Sequence, residues 1–160
     1  MRELLFRGQT RRKGEKVRID GTPIDSKWVF GGVMQSEYDF SVIYQRKPEI
    51  KKFPVYTDTL CQCTGMKDVN GKKIFEGDIL RQYADTLEDG TNLYCVYKVV
   101  FSEDYASFGG LNINDNELYL FDDLKDSEII GNVFDNPELL KESKRISLGE
   151  MINQKRSNEI

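Results

Sequence analysis

The sequence predicts a mainly β fold (a β-rich α+β chain) with barrel-like or strongly bent antiparallel sheets and one short C-terminal helix. Three observations carry that expectation. Leu93 to Phe101 (LYCVYKVVF) is β-branched and aromatic over its full length, which suits a central strand. Asn70-Gly71 separates two short extended runs, the chemistry of a tight hairpin. Glycine pairs at Gly31-Gly32 and Gly109-Gly110 follow apolar residues, where they mark bulges or close backbone approach.

Taken in order, Leu4 and Phe6, then Val17 and Ile19, alternate with polar positions and predict two strands around a turn at Gln9 to Gly14. The tip of that hairpin is basic. Asp20-Gly21-Thr22-Pro23 reads as a turn, and Trp28-Val29-Phe30 as a strand entering the first glycine pair, with Trp28 in the core. Asp39 to Tyr44 (DFSVIY) alternates at Phe40, Val42 and Tyr44, and is ended by Pro48 and Pro54. The segment between those prolines is too short and broken for a helix.

The stretch Gln62 to Leu80 (QCTGMKDVNGKKIFEGDIL) packs a strand, a turn, a second strand and a corner into nineteen residues. Asp68-Val69-Asn70-Gly71 is expected to form a type I′ turn, with Asn70 and Gly71 supplying two positive φ values. Gly77 and Asp78 then make a sharp corner, where the Asp78 carboxylate accepts backbone N–H groups. Ala84 to Asn92 reads as an exposed loop joining the strands Ile79–Tyr83 and Leu93–Phe101. Glu117 to Phe121, Ile129-Ile130 and Val133-Phe134 complete the β part. Asp135 or Asn136 then caps a helix beginning at Pro137, and a further helical turn is expected over Leu148 to Gln154.

The opening MRELLFRG, the run CTGMKDVNGKKIFEGDIL and the late IIGNVFDNPELL, in that order, resemble the YopX family of small phage and prophage proteins. These elements fall at Arg2 to Arg7, Thr64 to Leu80 and Ile130 to Leu140, and so bracket nearly the whole chain. The resemblance implies a phage or prophage origin and a mostly β, barrel-like fold that forms oligomers. It implies no catalytic residues. Val33 to Lys52 and Arg11 to Arg18 follow no motif of the family, so a function particular to this chain would sit there.

Residues 1–140 are read as a single YopX-like β-rich domain, with room for two small lobes meeting near residues 55–62; residues 141–160 are a helical extension and tail. With 31% charged residues and no apolar run of about 18 residues, the chain is expected to be cytoplasmic and off the membrane. Three cysteines, Cys61, Cys63 and Cys95, and no histidine argue against a disulfide framework, a common zinc site and a general base near neutral pH. No metal or other cofactor is expected. Net charge is -4, yet Arg7, Arg11, Arg12 and Lys13 gather near the N-terminus.

The sequence therefore favours a non-enzymatic protein-binding or assembly module. It would act as a homo-oligomer or on a protein of phage or host, pairing through exposed strand edges. An alternative is a nucleic-acid-binding accessory protein that lays the basic hairpin, Arg7, Arg11, Arg12 and Lys13, on phosphates. A second is a metal-dependent enzyme using Asp68, Glu76 and Asp78. Asn70, Gly71, Gly77 and Asp78 are read as structural turn residues.

Overall fold

Period-two alternation becomes extended chain along most of the length. The computed structural model describes residues 4–12, 14–21, 27–46 and 48–142. The chain divides into two compact units, Met1–Gly65 and Met66–Ile160.

The first unit holds β1 (Phe6–Gln9), β2 (Trp28–Met34), β3 (Phe40–Gln45), β4 (Lys51–Tyr56) and the start of β5 (Cys61–Lys67). They lie antiparallel in the order β4-β3-β2-β1-β5. One face buries Val29, Ile43 and Val55, with Val33, Phe53 and Leu60 packed against them. The sheet curls hard around that core. A Cβ on Gly8 of β1 would stand 2.9 Å from the Val55 side chain of β4, although the two strands are three places apart. Only a residue without a side chain permits that approach. Beyond it, the Gln9 N–H donates to Thr59 Oγ1 at 2.9 Å in the single 3₁₀ turn Thr57–Thr59.

The barrel expectation needs correction at this point: the sheet bends strongly but does not close. Gln9 meets Thr59 through a side chain, not a ladder. Pro54, inside β4, has no N–H to offer a further strand. Pro54 also does not end a strand as expected; β4 runs through it because it is an edge.

The N-terminal hairpin is a second correction. β1 pairs with β2 and β5, and its link to the Val17 to Ile19 arm is reduced to the Ile19 N–H donating to Thr10 O at 3.2 Å, with Val17 in an isolated bridge. The intervening residues close on themselves, Glu15 N–H donating to Arg12 O at 3.1 Å and Arg12 N–H to Glu15 Oε2 at 2.6 Å. That leaves β1 in the sheet interior, where Gly8 reaches the core. Trp28 is half-buried.

The second unit contains β6 (Lys73–Phe75), β7 (Asp78–Thr86), β8 (Asn92–Ser102), β9 (Ser107–Asn112), β10 (Leu118–Leu120) and β11 (Glu128–Asn132). All but β6 form an antiparallel sheet, β10-β9-β8-β7-β11, with β8 at its centre. Leu80 and Tyr97 face each other across β7 and β8, and with Ile74, Val99 and Leu124 they form the core. The 3₁₀ segment Phe121–Leu124 brings Leu124 into that core.

The turn into β6 differs from the type I′ expectation. Gly71 has φ 79°, but Asn70 is not left-handed. The Gly71 N–H donates to Asp68 O, and the Asp68 N–H to Lys72 O. This is a type I turn closed by a left-handed glycine, selected because the Asp68 carboxylate takes the Asn70 and Lys72 N–H groups from inside the turn. At the end of the β part, the Asn132 side chain accepts the Phe134 and Asp135 N–H groups, both at 3.0 Å. α1 (Leu139–Glu142) follows, two residues later than expected because Pro137 and Glu138 form a turn whose carbonyls accept from Leu140 and Lys141. The helical turn expected at Leu148 to Gln154 lies outside the described residues.

Candidate functional site

The outward row of β2 in the first unit reads Phe30, Gly32, Met34. No atom would meet a Cβ on Gly32 within 4 Å, so the middle of that row is a gap. Register extends the gap across the sheet: Gly32 pairs with Tyr44 of β3, and Tyr44 pairs with Lys52 of β4. The result is a groove of about 920 Å³, with Leu4, Leu5, Phe30 and Ile50 as apolar walls and Arg46 and Lys52 as its cations. Gln45 fixes one wall, its Nε2 donating to the Phe30 carbonyl at 3.0 Å.

The apolar walls are open to solvent. Leu4 is 70% exposed, Ile50 71% and Phe30 43%. Lys52 Nζ lies 5.8 Å from the Tyr44 ring centroid, and the Tyr44 hydroxyl reaches Met34 Sδ at 3.7 Å. Arg46 is exposed. Gly31 holds the floor in place, since a Cβ there would be driven into the Tyr44 carbonyl oxygen.

Among the described residues, Arg7, Arg11 and Arg12 of the predicted basic set each engage a local partner. Arg7 is on β1 and 8% exposed, its guanidinium carbon 4.7 Å from the Trp28 ring. Arg11 Nη1 donates to Glu15 O at 2.8 Å. Arg12 stacks 4.1 Å from the Tyr56 ring centroid and bonds Asp58 Oδ2 at 2.9 Å. Tyr56 in turn donates to Glu15 Oε1 at 3.1 Å. The hydrogen bond to Asp58 holds the Arg12 pKa above its ordinary value; burial, then the bond to Glu15, pushes the Tyr56 phenol up. Asp58 thus offsets the Arg12 charge while engaging one of its nitrogens. Lys13 lies outside the described residues.

Two carboxylates of the central stretch, Asp68 and Asp78, hold backbone. Asp68 is 7% exposed and accepts from Asn70, Lys72 and Ile129. Asp78 is 2% exposed, and its Oδ2 accepts the Phe75 N–H at 2.8 Å at the left-handed Gly77 corner. Cys61 and Cys63 are buried, Cys61 donating to Thr59 O at 3.3 Å, and Cys95 is half-buried. Among the described residues, no group of three or more His, Cys, Asp and Glu is placed to hold a metal ion. No helix among them is long and apolar enough to cross a membrane.

Sequence reasoning missed the groove. One signal was present: β2 carries apolar residues on both faces, Val29 and Val33 inward, Phe30 and Met34 outward.

The family model described as "YopX protein" matches residues 11–141. Among solved structures, protein EF1440 from Enterococcus faecalis is similar, with 20% sequence identity and a TM-score of 0.49 over 88% of this chain and 99% of that one. No curated protein matches.

Proposed function

The chain belongs to the YopX family, and from that premise we propose that it is a non-enzymatic binding module, of phage or prophage origin, that holds a protein partner in the groove of its first unit. The carrying observation is the set of exposed apolar walls, Leu4, Phe30 and Ile50, around a gap that Gly32 leaves open. Such side chains cost solubility unless something covers them. The volume suits an inserted side-chain cluster, within the roughly 300–1,000 Å³ usual for binding clefts.

At the β4, β10 and β11 edges, edge chemistry favours the face over strand addition. β4 carries Pro54 beside Lys51 and Lys52, β10 is three residues long, and β11 is bulged between Ile129 and Gly131. Each of these opposes strand addition. The groove cations lie between Val33 and Lys52, where the sequence follows no motif of the family.

Selection of yeast-displayed random peptides of about twelve residues on the full chain tests the reading. Enriched peptides should lose at least about tenfold in affinity on Phe30→Asp and on Ile50→Asp, with the thermal midpoint of each variant showing that it is folded. Failure to enrich, or peptides that ignore both variants, would refute it. Light scattering of the same samples identifies a second copy as occupant if a dimer forms and Phe30→Asp dissolves it.

A further inference from the structure

We infer that the segment held in the groove is acidic and amphipathic, setting apolar side chains between Phe30 and Ile50 and carboxylates against Arg46 and Lys52. The inference rests on the binding-module reading and adds the chemistry of the partner.

Charge complementarity carries it. Among the described residues the lining includes Arg46 and Lys52 and no Asp or Glu, although acids outnumber bases 27 to 23 along the chain. The groove is thus locally cationic on a protein of net charge -4. Among the described residues Arg46 is in no ion pair, in contrast to Arg12, which Asp58 neutralises at 2.9 Å. Lys52 faces the Tyr44 ring, and a carboxylate can approach its ammonium from the solvent side.

Backbone pairing favours one mode of recognition. β2 is paired to β1 through Trp28 to Gly31 and to β3 through Gly32 to Met34, and the Phe30 carbonyl also accepts from Gln45. A guest would thus meet a floor whose backbone is partly occupied, while the features the groove exposes are side chains, the mode by which amphipathic segments are read. Rim charges then set partner choice and salt dependence more than raw affinity.

Two synthetic peptides of about twelve residues, identical in their Leu and Phe positions but carrying Glu in one and Lys in the other, are titrated against the full chain by fluorescence anisotropy. The Glu peptide should bind at least about tenfold tighter, and the preference should shrink to about twofold near 0.5 M salt. In the double variant Arg46→Glu, Lys52→Glu the preference should reverse. Because both side chains are exposed, that variant should fold. Equal binding of the two peptides, both lost in Phe30→Asp, overturns the charge assignment while leaving the groove as the binding site. No binding of the Glu peptide near 1 mM, or its displacement by a single-stranded oligonucleotide, overturns the inference as well. Loss of the binding-module reading shows separately, as absence of any peptide that depends on Phe30 and Ile50.

Discussion

Replacing Asp68 with alanine removes the acceptor of three backbone donors at once. Oδ1 takes the Asn70 and Lys72 N–H groups at 3.0 and 2.8 Å, and Oδ2 takes the Ile129 N–H at 3.2 Å. The first two donors belong to exposed residues and can turn to water, losing about 1 kcal/mol each; the third, on half-buried Ile129, loses about 2 kcal/mol. The expected destabilisation of the second unit is therefore about 4 kcal/mol. Asp68→Asn keeps one oxygen toward Asn70 and Lys72 but sets an amide against the Ile129 N–H, and should cost about 2 kcal/mol. Urea unfolding followed by circular dichroism gives the totals, and hydrogen exchange at Lys72 and Ile129 locates the loss. The reasoning fails if Asp68→Ala costs under about 1 kcal/mol, or if alanine and asparagine are equivalent.

Three further outcomes follow from the same geometry. Gly31→Ala should lower the stability of the first unit by about 3 kcal/mol, since its Cβ meets the Tyr44 carbonyl, whereas neighbouring Gly32→Ala, with open space around it, should change stability by under about 1 kcal/mol; equal thermal midpoints for the two variants would refute this. Burial, then the neighbouring Cys95, pushes the Tyr97 phenol well above its ordinary value of 10.0. The unfolded chain gives up that proton first, so stability is fully present below about pH 10 and falls as pH rises above it; Tyr97→Phe should flatten the fall in urea titrations, and an unchanged slope would count against the assignment. Arg12→Gln should change the urea midpoint by the equivalent of less than about 1 kcal/mol, because the Arg12 and Asp58 side chains are 48% and 61% exposed; a larger loss would mean that the pair holds the first unit together.

Local chemistry made much of the fold legible. The β8 strand, the Gly71 turn and the Gly77-Asp78 corner each depend on residues within a few positions of one another. Where the reading went astray, a distant residue had intervened. Asp68 outcompeted Asn70 for control of the turn, and its second oxygen is committed to Ile129, 61 residues away. Leu4, Phe6, Val17 and Ile19 alternate well enough for a hairpin, yet β1 found better partners in β2 and β5.

The sequence by itself determined the mainly β class, most of the strand positions and the family, because alternation, turn residues and motif order are properties of neighbouring positions. Only the tertiary structure decided what those strands expose. It buried Arg7 against Trp28 while leaving Phe30 open, and set Gly32 in one row with Tyr44 and Lys52. A one-residue slip in that register would put the gap, the aromatic ring and the cation on opposite faces. Register joins residues far apart in the chain, so the groove exists only once the sheet has formed.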